Sequence, residues 1–282
     1  MSLITSGYFA PVSVREVLSL KRRLRDKALI VAGGTAAVQL ISKMIVEPQA
    51  IISLEKVPLD YVKMRANSVE IGATTPLARL IHRKDLPDAL KKAVESIHGL
   101  ALKDMATVGG NIFTPAPAGD IATALLSLDA VLILRGARGT RSVQLSKFYR
   151  GPLQFNIKPD EILTAVRVNR PPRMSAFLKQ TPWKYSGPTI ASVAVGLDLD
   201  KNGKTRRAMV ALGGLTTHPY RAKKVEKMIT GKKLSEQLIE GAAQHLTDGV
   251  EVIDDALASS WYRMRVAEVL FKRILYNITA GG

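Results

Sequence analysis

The chain has 282 residues, a formal net charge of +17 and no cysteine. Without cysteine it can form no disulfide, no thiolate-ligated zinc or iron–sulfur site and no thiol nucleophile. A hydrophobic fraction of 46% is typical of a globular protein, and the length favours two domains. The chain has no apolar run of about 18 residues and its N-terminus has no signal-peptide pattern. We therefore expect a cytoplasmic protein without a membrane span.

The positive charge raises the question of an anionic partner, but its distribution disfavours nucleic acid. Basic clusters at 21–27, 201–207 and 223–227 lie on predicted polar helix faces or around a turn, in both halves of the chain. Aromatic residues are only 5% of the chain and do not interleave with these clusters. A nucleic-acid surface usually supplies such residues for base stacking. We expect a solvated basic surface and no nucleic-acid partner.

Apolar periodicity and turn signals predict elements along the whole chain. A capping box at Ser13 and Glu16 marks the start of the first helix. The pattern predicts helices over 14–26, 36–43, 89–103, 121–128, 221–230, 234–247 and 260–276, and strands over 28–32, 69–73, 130–134, 176–179, 189–199 and 207–212.

Pro171-Pro172 is the clearest break in composition, and we predict a domain boundary there, with domains over 1–173 and 174–282. Beyond the break, strands flank an Asn202-Gly203 hairpin turn, because Asn-Gly tolerates the positive φ values of a tight turn. Helices follow to the end of the chain.

Two glycine pairs carry the clearest chemical signal. Glycine lets the backbone approach a ligand closely, and a glycine-rich turn before a helix can present free N–H groups to a phosphate. Ala32-Gly33-Gly34-Thr35-Ala36 fits this description, with Thr35 as a helix N-cap or a phosphate-contacting hydroxyl, and 107–111 is a second such turn. Together they suit a pyrophosphate, although each alone also fits an ordinary turn. Neither matches the standard Rossmann or P-loop pattern.

These two turns also carry a resemblance. The chain resembles, over nearly its full length, the FAD-binding medium subunit of the molybdenum hydroxylases, the xanthine dehydrogenase and carbon monoxide dehydrogenase family. Ala-Gly-Gly-Thr at 32–35, then Thr-Val-Gly-Gly-Asn-Ile at 107–112 and Asp120, are its most specific marks. Further matching segments are Phe9–Pro11, Ile71–Thr75, Pro117–Asp120, Asp160–Leu163, Ala211–Gly214 and Ser260–Arg263.

The resemblance implies an FAD site. Asp120 corresponds to an acid that binds the ribityl or adenosine part of FAD, although by itself it fits a helix N-cap equally well. Lys179 by itself would be a surface charge at a strand edge. The implied FAD contacts are Ile30, Val31, Ala32, Gly33, Gly34, Thr35, Ala36, Ala37, Ile97, Thr107, Val108, Gly109, Gly110, Asn111, Asp120, Leu163 and Lys179.

One segment departs from the family pattern. Relatives commonly carry Arg-x-x-Asp-x-Ala after the position of Lys179, whereas 181–191 lacks the acid and contains two prolines. Trp183 or Tyr185 would either stack on the flavin ring or serve as a core or interface aromatic. The electron acceptor therefore stays open. The four histidines have no metal-ligand spacing, and we expect no metal site.

The expected fold is α+β in two domains. Residues 1–173 would form the FAD-binding domain, made of a small α/β part and a larger sheet-containing part. Residues 174–282 would pack an antiparallel sheet on helices. The resemblance implies electron transfer through FAD, with a small [2Fe–2S] subunit and a large molybdenum-cofactor subunit as partners, in a dimer of heterotrimers. The alternative is a standalone FAD-dependent oxidoreductase.

Overall fold

The computed structural model describes residues 7–114, 119–184 and 187–280. Its N-terminal part is a small α/β unit with a parallel three-stranded sheet in the order β1-β3-β2. Val17 of the first helix packs on Ile52 of the sheet in a buried cluster. The elements are β1 (Gly7–Phe9), α1 (Val14–Leu24), β2 (Ala28–Val31), α2 (Ala37–Ser42) and β3 (Ala50–Ser53). The first glycine turn therefore lies at the carboxyl end of β2, the edge where parallel sheets commonly bind ligands.

The middle part is built on an antiparallel five-stranded sheet in the order β4-β5-β10-β6-β7. Short helices cover it, and Leu90, Ile121 and Leu132 share its main core. Its strands are β4 (Val62–Arg65), β5 (Ser68–Gly72), β6 (Val131–Gly136), β7 (Gly139–Gln144), β8 (Tyr149–Gly151), β9 (Gln154–Phe155) and β10 (Ile162–Asn169), with β8 and β9 paired as a separate ribbon. Its helices are α3 (Ala78–Ile81), α4 (Asp88–Glu95), α5 (Leu100–Met105), α6 (Val108–Ile112) and α7 (Asp120–Ser127).

The C-terminal part is an antiparallel four-stranded sheet with helices. Ala194 and Ala211 face the core of the middle part, whereas Val193, Val195 and Val210 face the C-terminal helices. Strand β12 is thus buried on both faces, and the two halves of the chain share packing. The elements are β11 (Met174–Gln180), β12 (Ala191–Leu199), β13 (Thr205–Gly213), β14 (Tyr220–Arg221), α8 (Lys223–Ile229), α9 (Glu236–Ala243) and α10 (Ser260–Ala280). The predicted α+β class with two domains is confirmed.

The predicted start of the first helix is confirmed, and its capping hydrogen bonds differ from a standard capping box at one donor. The Ser13 hydroxyl accepts a hydrogen bond from the Glu16 N–H at 3.2 Å. The Glu16 carboxylate reaches back to the Val12 N–H at 3.0 Å, one residue before the donor of a standard capping box. The predicted hairpin turn is also present, with Gly203 at φ 73°.

The single helix predicted over 89–103 is wrong. Helix α4 ends at Glu95 and α5 begins at Leu100, because Gly99 has φ 94°, which no helical residue adopts. The apolar stripe continues across the break, so periodicity alone does not reveal it. The central strand β10 is likewise absent from the prediction, although 162–168 is a largely apolar run.

Arg263, on the first turn of α10, is fully buried, which is rare for arginine. Its Nη1 donates to the carbonyl oxygens of Ile190 and Gly214, each at 2.6 Å. Its Nη2 donates to the Asp255 carboxylate at 2.6 Å. The guanidinium therefore joins α10 to two loops of the C-terminal sheet.

We expect Arg263→Leu to lower the free energy of unfolding by about 3 kcal/mol, since it removes the arginine donor of two carbonyls and the ion pair of Asp255. Arg265→Leu, two residues further along the same helix, removes an exposed arginine whose one ion pair within the described ranges is with Glu268. That control should cost about 0.5 kcal/mol or less. Urea unfolding of both variants measures the difference. Equal losses would contradict the role given to Arg263.

Candidate functional site

A cavity of about 500 Å³ is lined by residues of both the N-terminal α/β part and the middle part. Most of the predicted site residues meet here. Those lining the cavity are Ile30, Val31, Ala32, Gly33, Gly34, Thr35, Ala36, Ala37, Thr107, Gly109, Gly110 and Leu163. The two glycine turns, far apart in sequence, therefore share one site, and most of the remaining lining is apolar, with Leu40, Leu54, Phe155 and Ile157 among it.

The first glycine turn presents donors that nothing in the protein uses. Within the described part of the chain, no oxygen accepts a hydrogen bond from the backbone N–H groups of 33–37. Gly34 has φ 73°, a left-handed conformation that favours glycine and turns this stretch of backbone. Consecutive unpaired N–H groups form a concave site for an anion. The prediction of Thr35 as N-cap is wrong, since α2 is preceded by Ala36 and has no side-chain cap.

Gly33 has a different reason to be glycine. A Cβ built on it would lie 1.6 Å from the carbonyl oxygen of Met105. The first turn thus lies directly against the chain that enters the second turn, and no side chain fits between them. The close approach is made to protein backbone, which holds the two turns together.

The second glycine segment is a short helix, α6, rather than an open turn. Thr107 is its N-cap, and its hydroxyl accepts from the Gly110 N–H at 3.1 Å. The N–H groups of Val108 and Gly109 donate to Thr75 and Ala73. The expectation of free N–H donors is therefore wrong here, because the neighbouring β5–α3 loop supplies acceptors for them. Thr107, Gly109 and Gly110 contribute surface to the cavity instead.

Five predicted residues lie outside the cavity lining. Val108 is fully buried in the main core, and Ile97 packs against the same core. The Asn111 side-chain oxygen accepts from the N–H groups of Ile121 and Ala122, at 3.0 and 3.3 Å, and so caps α7. The remaining two, Asp120 and Lys179, form a pair described next.

Asp120 is the first residue of α7, and its N-cap is Gly119, so the alternative of Asp120 as N-cap is wrong. Its carboxylate accepts from the Lys179 ammonium and from the Thr189 hydroxyl, each at 2.8 Å. Both charged side chains are almost fully buried, so Lys179 is not a surface charge. Burial raises the pKa of the Asp120 carboxyl, and Lys179 and Thr189 oppose that rise. The pair links the middle part to the C-terminal sheet.

The sequence did not predict a second ion pair, which lies at the cavity. Glu161, which lines it, accepts from Arg141 at 2.7 and 2.8 Å and from the Lys158 N–H at 2.8 Å. Hydrogen bonds from Arg141 hold the pKa of the Glu161 carboxyl below its ordinary value. The acid belongs to the matching segment Asp160–Leu163, but its partner lies 20 positions earlier, with no local signal.

The divergent segment 181–191 is described except for Tyr185 and Ser186. The interpretation of Tyr185 as a stacking or core aromatic thus lies outside the described residues, as does Pro117-Ala118 of the matching motifs. Trp183 is 63% exposed, so it is not a core residue. Thr189 is buried and bonded to Asp120.

No group of three or more His, Asp or Glu side chains arranged to hold a metal ion occurs in the described ranges. The helices in those ranges are too short or too polar to cross a bilayer.

Comparison with known proteins places these features in one family. Residues 4–171 match the family described as "FAD binding domain in molybdopterin dehydrogenase", and residues 176–278 match the "CO dehydrogenase flavoprotein C-terminal domain". The glyceraldehyde dehydrogenase medium chain of Sulfolobus acidocaldarius is 30% identical, over 94% of this chain and 95% of the relative. The nicotinate dehydrogenase FAD-subunit of Eubacterium barkeri is 28% identical, over 96% and 95%.

A solved structure agrees with these relatives. The reconstituted CO dehydrogenase from Oligotropha carboxidovorans contains a chain that superposes with a TM-score of 0.88 at 26% identity, covering 95% of both chains.

The Glu161–Arg141 pair predicts a pH dependence of stability. Because the folded-state pKa of Glu161 is lowered, its contribution is present above the ordinary Glu pKa of about 4.3 and is lost as pH falls through the folded-state pKa. Arg141→Gln should therefore flatten the fall in unfolding free energy between about pH 6 and pH 3. Arg138→Gln, a nearby arginine without an ion pair among the described residues, is the control. Urea unfolding across this range measures both, and identical profiles would contradict the pairing.

Proposed function

Since the chain belongs to the family of FAD-binding subunits of the molybdenum hydroxylases, we propose that it passes electrons from [2Fe–2S] clusters of a partner subunit through bound FAD to an external acceptor. The chain is an oxidoreductase subunit, and FAD is its cofactor. FAD, when bound, supplies the electron-accepting and electron-donating chemistry. The residues of this chain bind it, orient it and limit its access to water.

One observation supports the FAD site above the others: unused backbone donors at 33–37 lie in a cavity that is otherwise mostly apolar. A dinucleotide combines a doubly charged pyrophosphate with two flat ring systems. The N–H groups would hold the pyrophosphate, since hydrogen bonds to a charged acceptor are about twice as strong as neutral ones. Leu163 and Phe155 would contact a ring.

The predicted contacts outside the cavity lining remain part of the proposal. Asn111 caps α7, so the second glycine segment and Asp120 belong to one hydrogen-bonded unit. Lys179 retains two N–H donors after its bond to Asp120, and we propose that they face the flavin. Ile97 would add an apolar surface. In this arrangement the Asp120 carboxylate fixes the position of the Lys179 ammonium.

The proposed partner subunits would supply chemistry that this chain lacks. It has no cysteine, so [2Fe–2S] clusters with thiolate ligands need another chain. We propose a small [2Fe–2S] subunit and a large molybdenum-cofactor subunit, in a cytoplasmic dimer of heterotrimers. A relative from Paenarthrobacter nicotinovorans carries the name of a dehydrogenase complex subunit. We also propose 1–173 as the FAD-binding domain and 174–282 as the C-terminal domain.

We expect Gly34→Ala to weaken FAD binding about tenfold, because relief of its left-handed strain turns the N–H groups of this segment away from the anion. Gly203→Ala is a matched control, since Gly203 has the same φ of 73° in a hairpin turn outside the cavity. Both variants should lose about 1 kcal/mol of stability. Flavin fluorescence titration of the full chain measures the affinity. Equal affinities of the two variants would contradict the pyrophosphate site.

Purification of the tagged chain from its native host tests the complex. We expect it to carry two further subunits, one with the electron paramagnetic resonance signals of [2Fe–2S] clusters and one containing molybdenum. Native mass spectrometry should give the mass of two heterotrimers. A chain that is isolated alone with FAD and turns over a substrate by itself would instead favour a standalone oxidoreductase.

A further inference from the structure

A second cavity, of about 950 Å³, adjoins the FAD cavity. Lys21, Asp26, Lys158, Pro159 and Glu161 line both, so the two spaces are adjacent. The second cavity lies between the end of α1, the β6–β7 turn and the segment before β10. We call it the vestibule. A molecule in the vestibule therefore lies beside residues that also line the FAD cavity.

The two spaces differ in charge. The charged side chains that line the FAD cavity, two basic and two acidic, balance. The vestibule is lined by three acidic side chains and by six basic ones: Lys21, Arg22, Arg25, Arg138, Arg141 and Lys158. Among its acids, Glu161 is already bonded to Arg141. The vestibule therefore carries a net positive charge beside a cofactor cavity that carries none.

Three of these cations have no ion-pair partner among the residues that the structure describes. Arg22, Arg25 and Arg138 form no ion pair within the described ranges, and they line the vestibule but not the FAD cavity. Arg22 lies in the last turn of α1, where a cation interacts favourably with the helix end. Arg138 lies in the turn between β6 and β7, so no helix end stabilises its charge. Bringing these charges together costs free energy through mutual repulsion.

A positive cavity next to a cleft attracts anions and raises their rate of association. FAD is a dianion, and its proposed pyrophosphate site at 33–37 uses neutral N–H groups. We propose that the vestibule steers FAD into its cavity: Arg22, Arg25 and Arg138 accelerate association and do not hold the bound cofactor. The inference rests on the proposed FAD site.

Stopped-flow mixing of FAD with the full chain stripped of cofactor tests this inference. We expect Arg22→Glu/Arg138→Glu to bind FAD about tenfold more slowly at low salt, with an unchanged dissociation rate. The difference should vanish near 1 M salt, where the Debye length is about 3 Å. Lys201→Glu/Arg206→Glu makes the same change of charge with exposed residues outside both cavities, and its association rate should stay within about twofold of the unmodified chain.

Three outcomes would overturn steering by the vestibule. Equal slowing in both double variants would assign the effect to the overall charge. Faster dissociation in Arg22→Glu/Arg138→Glu would make these arginines direct contacts of bound FAD. Saturable binding of inorganic pyrophosphate to the FAD-loaded chain, lost in that variant, would make the vestibule a resident site for a second anion. Failure of the unmodified chain to bind FAD would refute the proposed site itself, which is a different result.

Discussion

The cleft depends on one contact between two stretches of backbone. At Gly33 the loop leaving β2 touches the carbonyl of Met105, where the chain enters α6, so closely that even a methyl group is excluded. This contact sets the two walls of the cavity at a fixed distance. It also holds the free N–H groups of 33–37 in place before an anion arrives, and such preorganisation reduces the free-energy cost of ordering on binding.

Beyond the cleft, polar contacts continue into the C-terminal half. Asn111 caps α7, and Asp120 is the first residue of that helix. The Asp120 carboxylate accepts hydrogen bonds from Lys179 and Thr189 of the C-terminal half. Arg263 then fixes the carbonyl of the next residue along the chain, Ile190. Asp120, Lys179, Thr189 and Arg263 are buried or nearly so, and loss of one of these partners therefore costs up to several kcal/mol. The C-terminal part therefore supports the residues that the N-terminal half supplies to the proposed FAD site.

Sequence motifs predicted the features that depend on neighbouring residues, namely a helix start and two turns. The capping box at Ser13, the Asn202-Gly203 turn and the first glycine turn all depend on neighbouring residues, and the structure has them where expected. Pairings across the chain were not predictable in this way. The acceptors that use up the N–H groups of α6 come from another loop, and the partner of Glu161 comes from another strand. Tertiary packing brings such groups together, and the apolar periodicity of the sequence does not indicate which groups will meet.

The site gives the positive charge and the absence of cysteine two different explanations. A pyrophosphate held by backbone N–H groups requires no counter-charge, and the charged residues around that cavity balance. The net charge of +17 therefore does not come from the residues that line the FAD cavity. The basic residues are spread over the surface, and several of them line the adjoining vestibule. The absence of cysteine places any thiolate-bound cluster outside this chain. Under the proposed function, electrons reach the flavin across a protein–protein interface, and positive charge on this side would favour association with acidic partners.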